Sequence, residues 1–375
     1  MDKANSARHW LRRIAPLFLL WHVACDRMAS RQATTKADDD HDALQVMDSV
    51  HIDLTGAGAT LPYPLYARWF NEYAPAANRR INYLSIGSSA GIEALIAHTV
   101  DFGATDVPMT DDELARARTR ILHVPTAVGA VGITYNLPSI KRPLRLSGDA
   151  IAAIFLGRVT RWNDATLQAL NPEVELPDLP IVVVHRVDGS GTTWLLSEYL
   201  SQISPAWAQG PGRGRVLVWP IGVGGSGNEG IAGEVKATIG SIGYVEVVYA
   251  RQNRLPVAHL RNREGRFVSP LPFEIASAAT AVLDSIGGSP LDRQSGFRVS
   301  LANAPGAQAY PLSAFTFLLL DPDMAGGDRS RQMVEFLRWA YDDGAAIASS
   351  MGYVPLPAAA AERILRQLDL AIPPE

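Results

Sequence analysis

The sequence predicts an α/β fold, and three observations carry that reading. From residue 51 onward, short apolar runs alternate with amphipathic segments, as a mixed sheet flanked by helices requires. Glycine- and serine-rich turns recur between an apolar run and the helical segment after it. A chain of 375 residues, 47% hydrophobic and 19% charged, can bury a core large enough to divide between two lobes.

The elements follow in order. "PYPLYARWFNEYA" opens with prolines and spaces Leu65, Trp69 and Tyr73 along one helical face. "INYLSI" and "VDFGA" read as strands around the helix "SAGIEALIAHT". "TDDELARA" starts a helix with Thr110 and Glu113 in capping-box spacing. Helices are expected near 148–156 and 163–170, then the strand "PIVVVH", the helix "GTTWLLSEYLS", a glycine-rich turn "GVGGSGNEG", the helix "IAGEVKAT" and the strand "SIGYVEV". A helix near 273–285, the strand "SAFTFLLL" and helices near 329–341 and 357–369 complete the chain. No fixed-period repeat and no membrane-length apolar run appears downstream of the first 25 residues.

The first 25 residues place Lys3, Arg8, Arg12 and Arg13 ahead of an apolar run from Ile14 to Ala24, too short to span a bilayer. That is the pattern of an export signal. Four basic residues and one acidic residue leave with it, which moves the formal charge from -4 to about -7. An acidic chain of this kind carries no electrostatic footprint for nucleic acid. Cys25 is the only cysteine, which excludes an internal disulfide and any multi-cysteine metal site. Its place at the end of the apolar run resembles the lipobox of bacterial lipoproteins, although His22 stands where leucine is usual. Lipidation of Cys25 with a membrane anchor, and ordinary cleavage nearby, both stay open. Residues 26–50 are polar and acidic and read as a disordered linker.

"RVDGSGTTW", residues 186–194, admits three chemistries. A phosphate loop of the Walker type needs a lysine that neither this stretch nor "GVGGSGNEG" contains. A hydrolase elbow needs G-x-S-x-G, whereas Ser190 sits in D-G-S-G-T; no histidine cluster or metal-ligand spacing assists it. As an anion cradle the stretch is well made. Ser190, Gly191 and Thr192 lie where a helix begins, with unpaired N–H groups and two hydroxyls, and Arg186 adds a charged planar fork that Asp188 can hold. Plain capping of a structural helix by Ser190 remains the alternative for this loop alone. "TGAGATLPYP" with Thr60 and "SIGSSAGIEALI" with Ser88 repeat the design of strand, small polar turn and helix.

Together, "TGAGATLPYPLYARWF", "GSSAGIEALIAHTVDFGATDVPMTDDEL", "RVDGSGTT", "WPIGVGGSGNEGIAGEVK" and "SIGYVEVVYA" resemble the periplasmic phosphate-binding protein of the high-affinity phosphate ABC transporter, in order over roughly residues 51–355. The resemblance implies a two-lobe periplasmic binding protein fold of type II, each lobe a mixed sheet flanked by helices, hinged around a ligand cleft. It implies phosphate ligands from Thr60, Leu61, Ser88, Asp106, Arg186, Ser190, Gly191 and Thr192, with Asp188 in support. Leu61 stands in place of the family's usual phenylalanine, where the contact is a backbone N–H, and Thr105 in place of serine.

Lobe I is then expected over 51–130 and 308–375 and lobe II over 131–307, with crossings near "GAVGITYN" and "AYPLSAFTF". The expected protein is a periplasmic monomer and not an enzyme; it needs no cofactor or metal and binds inorganic phosphate for an ABC permease. Asp106 beside an anion makes sense if it accepts a hydrogen bond from protonated phosphate, which sulfate cannot supply. A secreted phosphoester hydrolase, or a phosphate sensor or adhesion protein using the same cradle, is the competing reading.

Overall fold

A computed structural model of the protein describes residues 53–285 and 298–373. The expected signal, linker and Cys25 lie outside these residues. The described chain opens with β1 (Leu54–Gly58), α1 (Tyr63–Ala77), β2 (Ile81–Ser85), α2 (Ser88–Ile96), β3 (Phe102–Thr105) and α3 (Asp111–Ala117). The apolar stripe of α1 is buried at Leu65, Trp69 and Tyr73, and the helix ends at Asn78 in the left-handed conformation.

The α3 capping box forms as its spacing requires: Thr110 Oγ1 accepts from Glu113 N at 3.2 Å, and Glu113 Oε2 accepts from Thr110 N at 2.8 Å. Thr110→Ala is expected to lower the unfolding free energy by about 1 kcal/mol in urea denaturation, with the slope unchanged.

The middle of the chain forms β4 (Leu122–Tyr135), β5 (Arg145–Leu146), α4 (Gly148–Phe155), α5 (Ala165–Leu170), β6 (Val182–Arg186), α6 (Gly191–Ile203), α7 (Pro205–Gln209), β7 (Val223–Gly225), α8 (Gly227–Ala237), β8 (Ser241–Glu246), α9 (Val247–Gln252), β9 (His259–Arg261), β10 (Phe267–Val268) and α10 (Pro272–Ser285). After it come β11 (Ser313–Leu320), a 3₁₀ turn at Met324–Gly327, α11 (Asp328–Tyr341), α12 (Asp343–Met351), β12 (Val354–Pro355) and α13 (Ala358–Ala371).

The main sheet runs β2-β1-β3-β11-β4-β8-β6-β7, with β12 also on β4; β10, β9 and β5 form a small second sheet. Strands β1, β2 and β3 are parallel, as are β8, β6 and β7. Antiparallel β4 links the two groups: Leu122 to Ala130 face β11, and Val131 to Tyr135 face β8. The segments read as crossings thus fall on β4 and β11.

Each strand group has its own aromatic packing. Trp69 meets Phe336 at 6.2 Å and Tyr73 meets Trp339 at 5.4 Å, which seats α11 on α1. On the other side Tyr135 meets Trp162 at 5.9 Å and Phe155 meets Tyr244 at 6.0 Å. Two of the buried indole N–H groups bond across the chain: Trp69 donates to Gly344 O and Trp162 to Gly240 O.

The short strands β5, β9, β10 and β12 and the short helices α7 and α9 are absent from the sequence reading, and two further departures have a clear physical origin. "GVGGSGNEG" is not simply a turn. Its Val223–Gly225 pairs in parallel with β6, which supplies the hydrogen bonds that its composition does not advertise, and α8 begins inside it at Gly227 rather than at Ile231. Helix α12 was not expected from "DGAAIASSM"; it is ordered by packing against α1 and α11, with Gly344 lying beneath Trp69.

Candidate functional site

The C-terminal ends of β1, β3 and β6 deliver three loops to one region, where parallel α/β sheets place ligands. Thr60 and Leu61 follow β1, Asp106 follows β3, and Arg186 ends β6. Ser88 is the first residue of α2, Ser190 caps α6, and Gly191 and Thr192 are its first residues. The side chains of Thr60, Ser88, Asp106, Arg186, Ser190 and Thr192 are all buried, none more than 5% exposed.

Hydrogen bonds join the loops directly. Gly191 N donates to Ser88 Oγ at 3.2 Å, Ser89 N donates to Gly189 O at 3.0 Å, and Asn228 Nδ2 donates to Thr60 Oγ1 at 2.7 Å. The approach is close because side chains are missing. A Cβ on Gly191 would lie 2.7 Å from Asp106 Oδ2 and 2.9 Å from Ser88 Oγ. Gly87, at φ +91°, faces Asp188 and Gly189 in the same way.

The hydroxyls are arranged as donors. Ser88 Oγ accepts from Gly191 N, Ser190 Oγ accepts from Thr193 N at 3.1 Å, and Thr60 Oγ1 accepts from Asn228. Each oxygen that accepts from the protein keeps its proton to give away. Capping by Ser190 and anion binding by Ser190 are therefore compatible, although the loop sequence posed them as alternatives. Thr192 Oγ1 is buried and has no hydrogen-bond partner among the described residues.

Arg186 carries the same signature. Its Nε donates to Asp188 Oδ1 at 2.7 Å and its Nη2 to Asp188 Oδ2, while buried Nη1 has no partner among the described residues. Asp188 also accepts from Gly227 N at 3.1 Å, and Arg186 holds its carboxyl below the ordinary carboxylate range although burial opposes this. Asp106 behaves oppositely. Burial pushes it up to about 7, against the pull of the Thr316 hydroxyl at 3.0 Å and of the Arg186 charge.

Leu61 enters differently from the others. Its side chain is fully buried and its carbonyl accepts from Tyr353 OH at 2.8 Å, so the backbone of the first loop is held in place. Tyr249 OH holds the Thr60 carbonyl at 2.8 Å. These two tyrosines, Thr316, Asn228 and the Arg215–Glu113 ion pair are the participants that sequence reading missed. The glycine-rich fragment "GSGNEG" repeats the small polar helix start of the other loops, which is the sequence signal for Asn228.

The histidines nearest these loops are structural. His185 stacks on Trp219 at 4.8 Å, and His123 Nε2 accepts from Met109 N at 3.0 Å. Burial lowers both, His123 to about 4, so both are neutral at pH 7. Among the described residues no group of three or more His, Cys, Asp or Glu is placed to hold a metal, and no helix is long and apolar enough to cross a membrane.

Buried donors from helix starts, converging on an arginine and one carboxyl at strand ends, define a binding protein built on the periplasmic binding protein scaffold. The model of the PBP superfamily domain accordingly matches residues 29–343. The phosphate-binding protein PstS of Pasteurella multocida is 41% identical over 316 residues, 84% of this chain and 89% of that one. PstS of Haemophilus influenzae is 40% identical over 306 residues, covering 81% and 89%. The chain belongs to the PstS phosphate-binding protein family. The crystal structure of a phosphate-binding protein from Stenotrophomonas maltophilia shares the fold, with a TM-score of 0.64 at 20% identity over 84% of this chain and 94% of that one.

Proposed function

We propose that the protein binds inorganic phosphate in the periplasm, selects it over sulfate and delivers it to a membrane ABC permease, without catalysing a reaction. The observation that carries this reading is two buried donors without a partner among the described residues, Arg186 Nη1 and Thr192 Oγ1, in a site that also holds the buried Asp106 carboxyl, which accepts from the Thr316 hydroxyl. A tetrahedral oxyanion bearing one proton fits that set, since it accepts from the donors and gives its own hydrogen to Asp106. The ligands in this reading are Thr60, Leu61, Ser88, Asp106, Arg186, Ser190, Gly191 and Thr192, with Asp188 steadying the arginine.

In the same reading residues 51–130 and 308–375 form one lobe and 131–307 the other. Thr60, Ser88 and Asp106 then belong to the first, and Arg186 to Thr192 to the second. One anion satisfies both sets only when the lobes meet, so binding shifts the hinge equilibrium toward closure. The Asn228–Thr60 and Arg215–Glu113 contacts support closure as the arrangement that completes the cradle. The closed form is what a permease can recognise. A lipidated Cys25 would tether the protein, as a monomer, to the membrane it serves.

Calorimetric titration with phosphate, sulfate and arsenate tests the function. Phosphate should bind tightly, arsenate should compete as a protonated near-isostere, and sulfate should compete poorly; phosphate binding no tighter than sulfate binding would end the reading. Gly191→Ala is expected to weaken phosphate binding by about 10- to 100-fold in the same assay, since the added methyl group meets Asp106 and Ser88 where the lobes touch.

A further inference from the structure

Asn228 is buried at the start of α8 and reaches across to Thr60, 168 residues earlier in the chain. Its side-chain oxygen accepts from Glu246 N at 2.8 Å. A backbone N–H can only donate, so this bond fixes which end of the amide is oxygen; the opposite orientation would set two donors against each other. The NH2 group therefore faces Thr60 Oγ1, donating at 2.7 Å, and the backbone N–H of Asn228 adds a longer bond to the same oxygen at 3.4 Å. Both lone pairs of the Thr60 hydroxyl are engaged in this way, which leaves its single proton free only to donate.

The geometry points to Asn228 as a positioning residue of the anion site, one that turns the Thr60 hydroxyl into an obligate donor toward the ligand. This deepens the proposed phosphate binding and rests on it. A free threonine hydroxyl could accept the proton of a bound phosphate and compete with Asp106 for it. With Thr60 held as a donor by Asn228, Ser88 by the Gly191 amide and Ser190 by the Thr193 amide, the ligand's hydrogen is directed to Asp106. Orientation of Thr60 thus supports both affinity and the protonation check. The reach of Asn228 from α8 to the β1 loop also makes the bond available only when the two sides are together.

The test is a double-mutant cycle on phosphate affinity, by calorimetry near pH 7.5, with wild type, Thr60→Val, Asn228→Ala and the double variant. Wild type must bind phosphate; if it does not, the functional reading fails first and separately. Given wild-type binding, Asn228→Ala should lose about 10- to 100-fold, and the double variant should be no weaker than the weaker single one. Additive losses, or wild-type affinity in Asn228→Ala, would overturn the inference.

Asn228→Asp is isosteric and keeps the bond from Glu246 N, so it serves where the alanine variant does not fold. An ionised aspartate must take the Thr60 proton, and its affinity should fall further than that of Asn228→Ala. Relative to wild type it should recover as pH drops from 8 to 5.5, where the carboxylic acid can donate again. Asp188, Glu229, Glu246 and Tyr249 surround position 228, and Glu246, which burial pushes up to about 8, titrates in the same window, so Asn228→Ala serves as the control that keeps these groups without the new carboxyl. A pH-independent ratio would count against an effect exerted through the hydroxyl.

Discussion

Arg186→Ala is expected to weaken phosphate binding by about 30- to 5,000-fold, the range for truncating one member of a buried charge pair at a binding site. Two losses combine. The anion loses a guanidinium whose buried Nη1 has no partner among the described residues, and Asp188 is left with the Gly227 amide as its remaining bond from that network. The uncompensated carboxylate then repels the ligand it formerly helped to admit. Arg186→Lys should recover part of the affinity, because the charge returns without the fork that engages Asp188 and ligand together. Calorimetric affinity within threefold of wild type for the alanine variant would remove Arg186 from the site.

Asp106→Asn should act on selectivity more than on affinity. The ionised carboxylate accepts a hydrogen bond and repels a fully deprotonated anion, whereas an amide can donate to sulfate. A missing built-in hydrogen bond of this kind is worth discrimination on the order of 10⁴ in favourable sites, so the ratio of phosphate to sulfate affinity should collapse by a large part of that.

The raised position of Asp106 adds a pH signature. Above about 7 the group is ionised and would repel sulfate; below it the neutral acid acquires a proton to donate. Competition by sulfate should therefore strengthen as pH falls from 8 to 5.5 in wild type and stay flat in Asp106→Asn. Unchanged selectivity of the variant in a competition titration would show that Asp106 does not inspect the ligand.

Much of this was legible in the sequence because its signals are local. The strand, small polar turn and helix start around Thr60, Ser88 and Ser190 lies within a few residues each time, and the Thr110 to Glu113 box closes over three. Strand β11 matches "SAFTFLLL" residue for residue, since a largely apolar run of that length, broken only by Ser313 and Thr316, suits a strand buried on both faces. What stayed hidden depends on approach between distant segments. Arg215 meets Glu113 across 102 residues and Tyr353 meets Leu61 across 292, and no period or composition links such pairs. Strand β7 was hidden for a related reason: with two glycines in three residues it has almost no side-chain signature, and only the neighbouring β6 makes it a strand. Residue types named the chemistry of the loops; tertiary contacts decided which lone pairs were already taken.

Strand β4 has a consequence for how the molecule comes apart. Its first nine residues are hydrogen-bonded into one group of strands and its last five into the other, so neither half can melt without stripping a partner from the rest. Heating should therefore produce one calorimetric endotherm rather than two, and a ligand that touches both sides should displace that endotherm as a whole.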